Sequence, residues 1–356
     1  MRKMFFLLVV VILAGLVWFS CSKENPTAPV AVSPSAGKMV NLQGNIERVA
    51  EILQQHNPNL MANADVVGTA VGLRPDGTPA ILVLAKVHGA RGIPVSLDDI
   101  PVMVEVTGEI LALAPPEDKG KPGPVTIINP TGRFDRPVPI GVSTGNEGEC
   151  SAGTIGCRVK DTSGSVYALS NNHVYALENS AKIGSRVLQP GLYDTNCRFD
   201  SNNVIGTLFA FVPIDFSPKA NNKVDAAIAR SSTGNLANTT PSNGYGIPSS
   251  TCVPAALGQA VQKYGRTTAL TKGTIFGINA TVKVGYSKRT AIFVDQIYVQ
   301  STTAFILAGD SGSLLVTDPS CNPVGLLFAG TSDGKLAVAN RIDLVLGRFG
   351  VSIDGK

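Results

Sequence analysis

The rhythm of apolar and polar positions changes four times along the chain. Phe5 to Phe19 form an uncharged, mostly apolar run of fifteen residues behind Arg2 and Lys3, and Ser20-Cys21 follow. A bilayer crossing takes roughly 20 residues, so this run predicts a signal peptide (1–21) rather than a span. Residues 22–40, rich in Pro, Ala and Ser, predict a flexible tether. In "NLQGNIERVAEILQQHNP" the period turns helical: Ile46, Val49, Ile52 and Leu53 share one face, and Asn57-Pro58 predicts the stop. "VVGTAVGLR", a turn at Pro75-Asp76-Gly77, "PAILVLAKV" and "PVMVEVTGEI" then read as strands. A helix followed by strands predicts a small α+β domain over 41–113, and the Pro- and Gly-dense residues 114–140 predict a linker.

From Gly141 onward the apolar runs are short and broken by Gly, Asn and Ser turns. That pattern predicts an all-β domain over 141–356, built as a pair of barrels or a sandwich. "RIDLVLGRF" near the end is the only helical stretch of note in it. The fold class expected for the whole chain is therefore mainly β, preceded by a small α+β unit.

Composition narrows the function. A net charge of +4 over 356 residues, with no long run of Lys or Arg, gives nucleic-acid binding little support. Apolar residues, then Ser-Cys and a polar tail, resemble a bacterial lipoprotein signal. The resemblance implies a cut before Cys21, lipid attachment at Cys21, and an exported chain anchored in the cell envelope. Conventional cleavage and an uncleaved anchor are the other readings of the same run. Export makes disulfides available, and of six cysteines five remain beside Cys21. Cys150 and Cys157 are close enough in sequence to close a small loop and are the first candidates for a pair; the alternative is that all five are small buried residues. No C-x-x-C pair exists, which argues against a thiolate metal site, and no cofactor or metal is expected. His56 and His88 have no acid or nucleophile cluster near them in sequence and read as surface residues.

The chemistry concentrates in three places in the β-rich region. Its single histidine, His173, lies in "YALSNNHVYA" just past a strand-like run. Asp225 is the one acid inside the uncharged "VDAAIA", so burial is expected and a hydrogen-bond partner is needed. Ser311 interrupts an apolar run in "ILAGDSGSLLV". A serine hydroxyl becomes a useful nucleophile when a neighbouring base takes its proton. Imidazole has suitable basicity, and a buried carboxylate fixes its tautomer and stabilises the imidazolium. Gly309 and Gly312 would let the chain bend so that the N–H groups of Gly309 and Ser311 aim at one oxyanion.

"SNNHV", "VDAAIAR" and "GDSGS" resemble, in that order, the active-site segments of chymotrypsin-like serine proteases. The likeness spans roughly residues 141–350 and is strongest in the bacterial branch (alpha-lytic- and streptogrisin-like) and in a trypsin-like group also found in plants. There "QKYGRTTALTKGTI" and "GDSGSLL…VGLLFAG" are familiar as a set. The resemblance implies two six-stranded antiparallel β-barrels, with His173 as general base, Asp225 as its orienting acid and Ser311 as nucleophile. It further implies a structural ion pair between Arg266 and Asp310, so that no freed N-terminal amine is needed. Phe305 would lie at the base of the primary pocket and Ala329-Gly330 along one wall. With no acid at Phe305, a small or apolar substrate residue is expected. Two departures stand out: the histidine lacks the usual Ala-Ala-His-Cys setting, and Ser313 replaces a common third glycine.

The expected function is an exported, monomeric serine endopeptidase acting on proteins or peptides. A carboxylester hydrolase with the same residues and a catalytically silent surface scaffold are the alternatives. Relatives often carry a pro-region where residues 41–113 lie, and a linker with Arg133 and Arg136 fits one. A lipid anchor argues for the opposite, because cutting the linker would free the enzyme; the domain is expected to stay attached as a spacer or recruiting module.

Overall fold

The computed structural model describes residues 34–112 and 128–356, with side chains from residue 42 onward. Cys21, the signal run and most of the tether lie outside the described residues. Among those described, no helix is long and apolar enough to cross a membrane. Helix α1 (Pro34–Ala62) buries Val49, Ile52 and Leu53, as its periodicity predicts. It runs on through Pro58 instead of stopping there. Tertiary contacts offset the helical hydrogen bond that Pro58, lacking an N–H, cannot donate. Leu60 is buried, Thr69 donates its hydroxyl to Asn57 (2.6 Å), and the Asn57 amide donates to Thr281 (2.8 Å). Strands β1 (Val66–Leu73), β2 (Pro79–Ala85), β3 (Ser96–Leu97), β4 (Ile100–Val106) and β5 (Ile110–Ala112) follow. His56 stays at the surface with Asp98 (2.9 Å), and His88 is exposed.

The first large sheet holds β6 (Ser143–Asn146), β7 (Gly153–Thr154), β8 (Cys157–Asp161), β9 (Val166–Ser170), β10 (Arg186–Leu188), β11 (Val204–Phe211) and β12 (Ala227–Ser231). Its spatial order is β8-β9-β12-β11-β10-β6-β7, antiparallel throughout. A one-turn helix, α2 (Asn172–Tyr175), follows β9 directly. The described part of the expected linker packs on this sheet: Val138 and Ile140 are buried, and the Val138 N–H donates to the Asn235 carbonyl (2.9 Å). The expected Cys150–Cys157 pair is not formed. Cys150 is bonded to Cys197, while Cys157 faces the core of β8 as a buried free thiol. The strand register explains the difference: Cys157 opposes Leu169 and points inward, whereas Cys150 lies in the surface loop before β7.

The second sheet contains β13 (Ala260–Gly265), β14 (Ala269–Gly285), β15 (Thr290–Gln300), β16 (Leu314–Thr317), β17 (Pro323–Gly330) and β18 (Leu336–Arg341). These six antiparallel strands run β13-β16-β17-β18-β15-β14 and close through a β13–β14 pairing, which is the expected barrel. Val261, Ile275, Ile297, Val299, Leu315 and Leu327 fill it. Helix α3 (Ile342–Phe349) crosses back, burying Val345 and Leu346 in the first core, and β19 (Val351–Ile353) pairs with β8.

The segment read as a separate α+β domain is part of this second sheet, and Leu42–Lys356 form one compact unit. The physical reason is the length of β14. At 17 residues it outruns the barrel, and an unpaired edge of that length invites another strand. β1 takes it, with Gly68 opposite Val282 and Thr69 opposite Thr281, and β2 and β4 add beyond. Lys283 reinforces the seam by donating to the carbonyls of Asn63 (3.2 Å) and Val66 (2.9 Å). A chain beginning at residue 128 would lose these partners and expose the outer half of β14. Such a truncation should aggregate or melt at least about 10 °C lower by calorimetry; an unchanged, soluble monomer would contradict the shared sheet.

Candidate active site

Ser311 sits in the turn between the barrel strands β15 and β16, and two glycines make that turn. Gly309 and Gly312 have φ of 96° and 95°, a region that side chains with a Cβ rarely adopt. A Cβ on Gly312 would also stand 2.2 Å from the Ser170 hydroxyl and 2.3 Å from the Thr154 carbonyl. The turn is thus pressed against the first sheet. Thr154 ties it there twice, through its hydroxyl to the Gly309 carbonyl and its N–H to the Ser311 carbonyl (both 2.8 Å). With both carbonyls held on that side, no acceptor among the described residues takes the N–H of Gly309 or of Ser311.

Asp310, fully buried between them, needs its charge satisfied. One oxygen accepts the N–H groups of Thr267 (2.8 Å) and Thr268 (3.2 Å). The other accepts the Thr268 hydroxyl (2.7 Å) and the Leu307 N–H (2.9 Å). The cation is Lys263, also fully buried, with its ammonium 3.4 Å from Asp310. Burial pulls the Lys263 ammonium below its usual basicity, and Asp310 opposes that pull. The expected Arg266–Asp310 pair is therefore absent. Arg266 instead grips Asp194, its side chain equally buried, through two nitrogens, over the ring of Tyr193. The reason is local: the Thr267 and Thr268 amides fill one Asp310 oxygen, and Lys263 reaches the other from strand β13.

His173 lies on α2, and its ring Nδ1 is 2.6 Å from Asp225. Asp225 is fully buried just before β12. Its carboxylate also accepts the His173 N–H (3.2 Å) and the Tyr286 hydroxyl (2.7 Å). Its backbone is clamped by Asn171, which donates to the Asp225 carbonyl, and by Asn340, which accepts the Asp225 N–H. Tyr286 comes from the β14–β15 hairpin and meets the His173 ring edge-on, with centroids 6.0 Å apart. Burial, and then the charge of Asp225, push the Tyr286 phenol well above its ordinary value, so it stays a proton donor. A carboxylate at Nδ1 puts the imidazole proton there and leaves Nε2 as the basic lone pair. That Nε2 is buried and has no hydrogen-bond partner.

The two halves meet at Gly153, where a Cβ would stand 2.5 Å from Val174 and 3.0 Å from the Ser311 carbonyl. The Ser311 hydroxyl, however, donates to the Phe328 carbonyl (3.2 Å) rather than to His173. Of the residues expected at the primary pocket, Phe305 is fully buried in the barrel core, its ring beside Gly273. Ala329 and Gly330 are paired in register with Ala112 and Leu111 of β5. A cavity of about 840 Å³ opens elsewhere, lined by Lys272, Phe276, Gln300 and Lys335 among others, and none of His173, Asp225 or Ser311 borders it.

Lys263 and Tyr286 were not singled out from the sequence. Lys263 had one available signal, a lone charge at an inward position of the strand "AVQKYG". Tyr286 had none, because "YSKR" reads as an ordinary polar hairpin tip. Replacing Lys263 with Met leaves a buried carboxylate without its cation and should cost about 3–5 kcal/mol in urea unfolding. A loss within about 1 kcal/mol would mean that the surrounding amides suffice.

Comparison with known proteins gives the following. The sequence model of the Nal1 C-terminal domain matches residues 243–350, a stretch that holds Lys263, Arg266 and Ser311 and leaves out His173 and Asp225. No curated protein matches the chain. Among solved structures, a glutamic acid specific serine protease is 22% identical, covering 61% of this chain and 100% of its own, with a TM-score of 0.43. Thermobifida fusca Protease A is 21% identical over 62% of this chain and 100% of its own, with a TM-score of 0.44. Cellulomonas bogoriensis chymotrypsin is 22% identical over 63% of this chain and 100% of its own, with a TM-score of 0.42. These similar structures are chymotrypsin-like bacterial serine proteases.

Proposed function

We propose that the protein is a serine endopeptidase in which His173, Asp225 and Ser311 act together on peptide bonds. The observation that carries the reading is the buried His173–Asp225 pair, whose Nε2 is unclaimed, together with a serine turn that has two unclaimed N–H groups. In the first step the Ser311 hydroxyl leaves the Phe328 carbonyl and turns to Nε2, which takes its proton as Oγ attacks the substrate carbonyl. Asp225 stabilises the imidazolium that results, held in place by Tyr286 and by the Asn171 and Asn340 clamps. The negative oxygen of the tetrahedral intermediate is received by the N–H groups of Gly309 and Ser311. Nε2 then returns the proton to the leaving amine, and an acyl-Ser311 remains. Water, deprotonated by the same Nε2, attacks that ester; Nε2 then gives this proton to Ser311 Oγ as it leaves, which releases the acid and restores both groups. Because Lys263 already satisfies Asp310, the turn needs no amine freed by activation cleavage.

The rest of the reading stands on the sequence. A basic start, a fifteen-residue apolar run and Cys21 support export and a lipid anchor in a bacterial envelope. The chain would act there as a monomer on protein or peptide substrates, at small or apolar residues. One observation favours a second reading. The Ser311–Phe328 hydrogen bond, with no bond to His173, also suits a catalytically silent scaffold.

Ser311→Ala should abolish peptide hydrolysis, a loss of roughly 10⁴–10⁶ in kcat, at unchanged melting temperature. His173→Ala should cost a similar factor, and the double variant should be little worse than either single one. Losses that multiply, or activity retained in Ser311→Ala, would remove the proposed mechanism.

A further inference from the structure

Arg266 and Asp194 lie outside the proposed chemistry, yet they stand between the serine turn and a surface disulfide. On the turn side, a Cβ added to Gly309 would be 2.6 Å from Arg266 Nη1, so the guanidinium packs directly on that residue. The same nitrogen donates to the Thr267 hydroxyl (3.0 Å), which donates to the Ala308 carbonyl (2.6 Å). The Ala308 carbonyl and the Gly309 N–H belong to one planar peptide unit, so whatever fixes the carbonyl also aims the N–H. The Arg266 N–H donates to the Thr154 hydroxyl (3.0 Å), which holds the Gly309 carbonyl beyond.

On the far side, Asp194 takes two guanidinium nitrogens and accepts the Ser143 hydroxyl of β6 (2.5 Å) as well. The Ser143 hydroxyl in turn accepts the Gly191 N–H (3.0 Å). The Arg266 and Asp194 side chains are 9% and 8% exposed, so solvent screens this pair far less than a surface one. Asp194 lies in a one-turn 3₁₀ helix, Leu192–Thr195. Just after it, Asn196 and Cys197 have φ of 56° and 61°, a region that residues with a Cβ adopt only where their surroundings enforce it. The Cys150–Cys197 bond supplies that enforcement by fastening Cys197 to the loop between β6 and β7. Both cysteines are exposed, and theirs is the one disulfide among the described residues. A reductant in solution can therefore reach it.

We propose that Asp194 and Arg266 are positioning residues for the Gly309 N–H, and that the Cys150–Cys197 bond makes this positioning redox-dependent. A thiolate of a reducing dithiol attacks one sulfur and expels the other; the second thiol then closes the reductant's own disulfide and frees the first cysteine. The protein gains two electrons and two protons, and the dithiol loses them. The turn at Asn196 and Cys197 then relaxes, Asp194 withdraws from Arg266, and the guanidinium no longer fixes Thr267 and the peptide unit behind it. The Gly309 N–H acts on charge that develops in the transition state, so the loss falls on kcat and not on KM. The effect on turnover rests on the protease reading; the link from the disulfide to the peptide unit does not.

The full chain is compared as wild type, Asp194→Asn and Asp194→Glu, each oxidised and after dithiothreitol. Alkylation with mass spectrometry confirms that Cys150 and Cys197 have opened, and cooperative melting confirms the fold. Oxidised Asp194→Asn should hydrolyse a peptide with kcat at least about ten-fold lower and KM within about two-fold, and Asp194→Glu, which keeps the charge, should recover most of the loss. Reduction should lower kcat at least about ten-fold in the wild type and less than about two-fold in Asp194→Asn, where the contact is already gone. If Asp194→Asn does not fold, Arg266→Gln gives the same comparison from the other half of the pair. Wild-type turnover unchanged by reduction, or lowered by the same factor in the variant, would overturn the inference. The amide resonance of Gly309 gives a readout without substrate: it should shift on reduction in the wild type and stay in place in Asp194→Asn. If no form hydrolyses peptides, the protease reading fails, and a Gly309 resonance unmoved by reduction would still overturn the link.

Discussion

A carboxylate that no water reaches organises this site. Asp310 lies fully buried beside Ser311, and its two oxygens are fixed by Thr267, Thr268, Leu307 and the ammonium of Lys263. Burying an unpaired charge is so unfavourable that each of these donors is held where it is needed, and the Gly309–Gly312 turn is held with them. Thr154 then fastens the carbonyls of Gly309 and Ser311 to the first sheet, which leaves their N–H groups to face the other way. The same turn therefore joins the two sheets and positions Ser311. A second buried carboxylate, Asp225, does for His173 what Asp310 does for the turn. Tyr286 and the His173 amide share its charge, and Asn171 and Asn340 hold its backbone.

The N-terminal strands extend this design. Since β14 outruns its barrel, β1, β2 and β4 continue the sheet, and β5 turns back between the ends of β14 and β17. Tyr286 stands at the tip of the long β14–β15 hairpin, so the strand that supports the added segment also delivers the hydroxyl to Asp225. Residues 42–112 belong to one compact unit with the rest of the described chain. They are continuous with the sheet that carries the site.

Much of this was legible in the sequence where the signal was local. The apolar face of α1, the strands around Pro75-Asp76-Gly77, the helix "IDLVLGRF" and the turn "GDSG" each follow from period or from residues with special backbone freedom. Asp225 was found because one acid in an apolar run must be buried and paired. What stayed hidden depends on pairings far apart in the chain. Cys150 meets Cys197 across 47 residues, and β1 meets β14 across about two hundred. Nothing in "VVGTAVGL" distinguishes a strand of its own domain from one that completes another sheet. The Arg266 expectation failed for a related reason. Position in a segment narrowed the cation to a few neighbours, and only the strand register decides that Lys263 points inward while Arg266 points to Asp194.

The central claim is that Ser311 is made nucleophilic by His173. Reaction with a fluorophosphonate reports this directly, because the reagent phosphonylates an activated serine. Mass spectrometry of the full-length chain should place a single adduct on Ser311, forming at least about a hundred-fold more slowly in His173→Ala. A folded wild-type chain that leaves Ser311 unlabelled, or one labelled equally fast without His173, would contradict the account.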